Sequence, residues 1–350
     1  MGNFLSKRSH PPQKPQNPSI LESYPLLAGG AGGGVHKLEA TVTTTVHWQQ
    51  RVGNQRDWVW RGWQTRYTYI RPSQNKSTTP LILLHGFGAS IGHWRHNLEV
   101  LGEHHTVYAL DMLGFGASKK APANYSIELW VEQVYEFWQA FIRQPVILIG
   151  NSNGSLISLA AAAAHPEMVK GIVMMSLPDP SLEQEAIPPF LRPLVTGIKK
   201  MVASPLILKP VFHFVRRRST LGRWVRLAYA NPEAITDELV DILAGPPQDR
   251  GSARAFSALF RAAIAVNFSP SVKAILPTVT APMLLIWGQK DRFVPPVLAQ
   301  RFTQYNDKLE LLNLEDVGHC PHDESPEQVN QVILDWINRH INYELGITQQ

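Results

Sequence analysis

The 350-residue chain has a single cysteine, Cys320, which excludes an internal disulfide framework and any multi-cysteine zinc or iron–sulfur site. No apolar run approaches the roughly 18 uninterrupted residues that a membrane-spanning helix needs, so an integral membrane protein is not expected. A secretory leader is also missing: Lys7 and Arg8 lead into Ser9-His10-Pro11-Pro12 instead of an apolar core, and the protein is read as not secreted. Met1-Gly2-Asn3-Phe4-Leu5-Ser6 fits a myristoylation pattern, but we read it as an ordinary start to a flexible arm. One more absence is local. Between Glu185 and Glu233 there is no acidic residue, while nine basic ones fall in the same stretch.

What is present is globular. With 44% hydrophobic and 17% charged residues, the composition is that of a folded chain able to bury a sizeable core. Residues 1–40 hold five prolines and six glycines and read as a flexible arm. From about 43 to 70, Val46, Trp48, Trp58, Trp60, Trp63, Tyr67 and Tyr69 largely alternate with polar residues, which predicts strands. Apolar strands then follow at 81–85, 107–111, 146–150, 171–176, 282–287 and 309–314, with helices at 128–142, 154–164 and 326–340. Continuous apolar strands alternating with helices make a parallel sheet covered on both faces. The alternation stops at 178–270, a proline-rich stretch of helical character. The expected fold class is therefore α/β, a doubly wound, mostly parallel sheet with an inserted helical cap. The core would run over 41–177 and 271–342, the cap over 178–270, and a tail over 343–350.

The sharpest motif is Gly150-Asn151-Ser152-Asn153-Gly154, between an apolar strand and a helix rich in small residues. A turn this tight needs small residues on either side of the serine and lifts its hydroxyl clear of the sheet, beside a helix N-terminus whose N–H groups favour an anion. Upstream, His85-Gly86-Phe87-Gly88 leaves another strand end, where the Phe87 N–H would sit opposite the Asn153 N–H as the second donor of an oxyanion hole. Downstream, Asp291 and His319 each stand just past a strand end. The order Ser152, Asp291, His319 is that of a catalytic triad on this type of sheet, with His319 as the base that makes the serine nucleophilic. Asp179, after the strand at 171–176, competes with Asp291 for the acid role. Asp111 reads as a loop anchor, and His322 and Cys320 as structural neighbours of His319. Neither a cofactor nor a metal is called for.

Taken together, His85-Gly86-Phe87-Gly88, the segment Asp111 to Ser118, the Ser152 elbow, Trp287 to Asp291 and Gly318-His319 resemble the α/β-hydrolase superfamily. Within it, the segments from His85 to Arg95 and from Gly318 to Pro326 resemble the plastid and cyanobacterial branch containing pheophytinase and chlorophyll dephytylase. That resemblance implies hydrolysis of an ester with a bulky lipophilic group, such as the phytyl ester of a chlorophyll-type pigment, in the cytoplasm or plastid stroma. It carries over Ser152, Asp291 and His319 as the triad and Phe87 and Asn153 as oxyanion donors. Asn153 directly after the serine, and Ser155 where a glycine is common, depart from its pattern. Aspartate-nucleophile relatives, the epoxide hydrolases and haloalkane dehalogenases, are disfavoured by Ser152. A carbon–carbon or small-ester hydrolase and a non-catalytic binding protein of the same fold remain alternatives.

The net charge of +5 is uneven. Set aside the nine basic residues of the acid-free stretch, and 24 basic residues remain against 28 acidic ones. A basic, apolar cap suggests docking on an anionic membrane through Arg216, Arg217 and Arg218, from which a lipophilic ester could enter. Nucleic acid is not expected as a partner, since no recognition motif accompanies the charge.

Overall fold

The computed structural model describes residues 47–73, 78–185, 203–265 and 268–342. The arm at 1–40 with its Gly2 pattern, residues 186–202 of the expected cap, and the tail at 343–350 lie outside the described residues.

Among the described residues, eight strands form one sheet in the order β1-β2-β4-β3-β5-β6-β7-β8. They are β1 (Arg56–Trp60), β2 (Trp63–Ile70), β3 (Leu81–Leu84), β4 (Val107–Leu110), β5 (Val146–Asn151), β6 (Val169–Met175), β7 (Met283–Gly288) and β8 (Leu309–Leu314). β2 pairs antiparallel with both β1 and β4, and every other neighbouring pair is parallel. Along β3, Leu81 and Leu83 join one apolar layer and Ile82 and Leu84 the other, so successive side chains serve opposite faces. Helices Ile127–Phe141 and Asn153–Ala164 cover one face. The 3-10 turn Ile91–Trp94 and helix Pro326–Ile337, with Trp336 fully buried, cover the other. That double burial explains why the strands read as unbroken apolar runs.

Two sequence expectations shift. Of the segment read as strand from 43, residues 43–46 lie outside the described residues, Trp48–Arg51 is a helical turn, and pairing among the described residues starts at Arg56. Trp48 packs into the apolar layer beside Gly92, and the Gln-Gln-Arg run after it suits a helix better than a strand. The strand read at 171–176 begins earlier, at Val169, where the pairing with β5 shifts register between Val146 and Ile147.

Between β6 and β7 the described chain is helical: Pro180–Glu185, Pro205–Val215, Arg218–Ala228, Asp237–Ala244 and Ser252–Ala263. The strand order reverses around β3, because β4 lies on one side of it and β5 on the other. In open α/β sheets ligands bind beyond the carboxyl ends of the strands at such a switch. Phe87 follows β3 and Ser152 follows β5, so the residues singled out from sequence flank this crevice. Among the described residues, no helix is long and apolar enough to cross a membrane.

Candidate active site

Ser152 sits between β5 and the helix Asn153–Ala164 with φ 53° and ψ −117°, a conformation that costs a non-glycine residue about 1–3 kcal/mol and is kept only where surrounding structure imposes it. The surroundings do impose it. A Cβ on Gly154 would stand 1.9 Å from the Leu84 carbonyl oxygen, and one on Gly150 would stand 2.3 Å from the Gly154 backbone. Both flanking positions must be glycine for β3, β5 and the helix to approach this closely. Ser155, the departure noted in the sequence, has its own function here. Its hydroxyl lies 2.8 Å from both the Gly150 and Met175 carbonyls and accepts the Met175 N–H at 2.9 Å, tying the elbow to β6.

Asn153 is the first residue of its helix, so its N–H has no intrahelical acceptor. The Phe87 N–H likewise donates to no acceptor among the described residues. A Cβ on Gly86 would lie 3.4 Å from the Ser152 Cβ, which places the loop carrying Phe87 directly against the elbow. The Phe87 ring is half exposed and meets the Phe115 ring edge-on at 5.2 Å. His85 holds this loop. Its Nδ1 donates to the Gly86 carbonyl at 2.8 Å, its Nε2 accepts the Met112 N–H at 3.1 Å, and burial pushes its pKa down, which keeps the ring neutral. Asp111 is an anchor as read from the sequence: its two oxygens accept the Ile91 and Ala117 N–H groups at 2.7 and 2.6 Å.

His319 and Asp291 meet. Nδ1 of the imidazole lies 2.8 Å from Asp291 Oδ2, and both side chains are buried. The other carboxylate oxygen accepts the Phe293 and Val294 N–H groups at 2.8 and 2.9 Å, so the acid is fixed by its own turn. An ionised acceptor there holds the proton on Nδ1 and leaves Nε2 with its lone pair. Asp179, by contrast, accepts from the Ser181 N–H at 3.0 Å and the Ser181 hydroxyl at 2.6 Å, and makes no hydrogen bond or ion pair with His319.

Sequence reasoning did not single out the residues that hold the His319 loop. Asn151 donates from Nδ2 to the His319 carbonyl at 3.0 Å, linking that loop to the residue before Ser152. Ala228, the last residue of its helix in the insertion, accepts the His319 N–H at 2.7 Å. Glu324 joins both sides: Oε1 accepts the Gly318 N–H at 3.0 Å while Oε2 accepts the Ala230 and Asn231 N–H groups at 2.7 and 3.2 Å. The one local signal for Glu324 was its place five residues after the histidine, behind Pro321, in a turn whose free N–H groups want an acceptor.

Behind this loop lies a buried polar cluster. Tyr229 donates its hydroxyl proton to Asp323 at 2.6 Å and accepts from His93 Nε2 at 2.8 Å, and Arg95 pairs with Asp323 at 2.7 Å and Glu238 at 3.1 Å. The His322 ring stands 4.2 Å from that of Trp94. Burial is the leading cause that lowers the pKa of His93, to about 4, and of His322, against an ordinary 6.5. At His93 the unfolded chain therefore takes up a proton below about pH 6.5 that the folded chain refuses until near pH 4. The contribution of His93 to stability is fully present above about pH 6.5 and is lost as the pH drops through that window, by about 2–3 kcal/mol at pH 4.5. Urea unfolding at pH 7.5 and 4.5 measures this, and His93→Gln is expected to flatten the dependence. Identical pH sensitivity in wild type and variant would contradict the assignment.

The chain is similar to known proteins in sequence and in fold. A family model described as the alpha/beta hydrolase fold matches residues 79–326. Chloroplastic pheophytinase of Arabidopsis thaliana is 24% identical over 302 residues, covering 75% of this chain but 62% of the relative, so this chain spans less than two thirds of that protein. The 2-hydroxy-6-oxo-6-(2'-aminophenyl)hexa-2,4-dienoic acid hydrolase of Metapseudomonas resinovorans is 25% identical over 285 residues, 79% of this chain and 89% of the relative. A solved membrane phospholipase A, a bacterial virulence factor, superposes with TM-score 0.67 over 84% of this chain and 89% of its own at 24% identity, a likeness of fold. With the family match running from just before β3 to the start of the helix after His319, the chain belongs to the α/β-hydrolase fold family.

Proposed function

We propose that this protein is a serine hydrolase that cleaves a carboxylic ester with a bulky lipophilic group through an acyl-enzyme. The observation that carries the reading is the buried Asp291–His319 pair, hydrogen-bonded at 2.8 Å on a loop that Asn151 ties to the strained Ser152 elbow. In this reading His319 Nε2 takes the Ser152 hydroxyl proton as Oγ bonds to the ester carbonyl carbon. The carbonyl π pair moves onto oxygen, where the Phe87 and Asn153 N–H groups stabilise it by about 3–4 kcal/mol per donor. Collapse breaks the bond to the alkoxy oxygen, which leaves as the alcohol with the proton from His319. Water then adds to the acyl carbon as His319 takes its proton. The second collapse releases the acid and returns the proton to Ser152. Asp291 fixes the Nδ1–H tautomer and stabilises the imidazolium in both halves.

The lipophilic part of the reading rests on the half-exposed rings of Phe87 and of Phe293, the latter 5.4 Å from the His319 ring, and on the likeness to pheophytinase. A phytyl ester is the favoured substrate. An ester panel graded by chain length and including pheophytin, run on wild type and Ser152→Ala, tests it. The expected outcome is kcat/KM rising with chain length and lost in the variant; activity confined to short esters would overturn the lipophilic assignment. The likeness to a dienoic acid hydrolase favours a second reading, carbon–carbon bond cleavage, which the same assay decides if a vinylogous 2-hydroxy-6-oxo-dienoate is turned over faster than every ester.

A further inference from the structure

We propose that the outward face of the helices Pro205–Val215 and Arg218–Ala228 is a docking surface for an anionic lipid bilayer. Of the twelve large hydrophobic side chains exposed among the described residues, six lie from Leu206 to Leu227, so half of them fall on these two helices. Leu206 and Phe214 share a helix face with Pro210 at spacings of four, and Ile207 and Val211 extend it by the same spacing. Leu206 is 86% exposed, and Phe214 and Trp224 are each 51% exposed. Leaving this much apolar surface in water has no use in a solvated cap and is the mark of an interaction site.

The charges beside it select the partner. Lys209, Arg217, Arg223 and Arg226 are exposed and form no ion pair among the described residues. The Arg217 guanidinium lies over the Phe214 ring at 5.7 Å, so cation and aromatic present together, as a headgroup boundary requires. The structure reassigns part of the basic run read from the sequence. Arg218 is held by Asp237 and Asp241, at 3.0 Å each, and Arg216 is half-buried over Phe212, leaving Arg217 as the member of that trio facing outward without a carboxylate. An apolar ridge beside unpaired cations, in a stretch whose flanking 186–232 contains no acid, matches a negatively charged interface with an apolar interior better than an acidic protein or a nucleic acid. Ala228, at the end of the second helix, accepts from the His319 N–H, so the docking face and the candidate active site share an element. Delivery of substrate from the bilayer rests on the hydrolase reading above; the docking itself does not.

The test is sedimentation of the full chain, as wild type and as Ser152→Ala, with vesicles of phosphatidylcholine alone or mixed with phosphatidylglycerol. Binding is expected for the mixed vesicles, equal in both proteins and weakened by salt. The triple variant Arg217→Gln/Arg223→Gln/Arg226→Gln is expected to bind about 100-fold more weakly, and Leu206→Ser/Trp224→Ser to lose the binding that persists at high salt. All these positions are at the surface, and unchanged circular dichroism and short-ester turnover would show the variants folded. No binding to mixed vesicles, binding untouched by both variant sets, or a face covered by a second copy or by the chain's own amino-terminal residues, seen as a dimer or as exclusion of vesicles, would each overturn the proposal. Vesicle binding without turnover of any ester would leave docking standing and remove the ester-hydrolase reading.

Discussion

Ser152→Ala is expected to lower kcat by about 10⁴–10⁶-fold on any ester the wild type hydrolyses, because a triad acts as a unit and the residual rate comes from the oxyanion donors and binding alone. KM should change little, since the hydroxyl contributes to bond making and hardly to ground-state binding. The fold should be indifferent to the change. The Ser152 hydroxyl makes no hydrogen bond among the described residues, and alanine at φ 53° carries the same backbone strain as serine. Steady-state kinetics with a thermal melt distinguishes this from unfolding: a large loss of kcat with an unchanged melting temperature is the expected pair of results. Retention of more than a few per cent of wild-type kcat would remove Ser152 from the chemistry.

The second large effect concerns the acid. Asp291→Asn is expected to cost about 10⁴-fold in kcat, whereas Asp179→Asn should change it less than tenfold. The amide oxygen can keep the Phe293 and Val294 N–H groups, which turns the amide nitrogen toward His319 Nδ1. A donor at that position forces the lone pair onto Nδ1 and the proton onto Nε2, the wrong tautomer for accepting the serine proton. Asp179 is engaged by Ser181 instead, so its loss touches a turn rather than the imidazole. Kinetics of the two variants side by side, above pH 7 where His93 is neutral in both the folded and the unfolded chain, would reverse the assignment if Asp179→Asn were the more damaging.

The parallel sheet was legible in the sequence because strands buried on both faces must be apolar throughout, as Leu81 to Leu84 and Val146 to Ile149 are. The elbow was legible because its chemistry and its packing demand the same small residues. The choice between Asp179 and Asp291 was legible in part, since chain order favoured Asp291 and left Asp179 as the alternative. Both follow a strand end, and the 2.8 Å contact with His319 falls to Asp291. Asn151 and Glu324 escaped for a different reason: Asn151 holds a residue 168 positions away, and no local pattern marks such a contact. Trp48 was read as strand on alternation alone, when tertiary packing beside Gly92 selected a helical turn. The basic run at Arg216–Arg218 looked uniform in sequence, yet Asp237 and Asp241 hold only Arg218 to the protein.

The most direct test of the account is intact-mass and peptide mapping of the protein after exposure to a fluorophosphonate, which phosphonylates an activated serine and displaces fluoride. The account predicts one adduct per chain, on Ser152, absent from Ser152→Ala and strongly slowed in Asp291→Asn. No adduct on the folded protein, or an adduct on another residue that persists in Ser152→Ala, would contradict it.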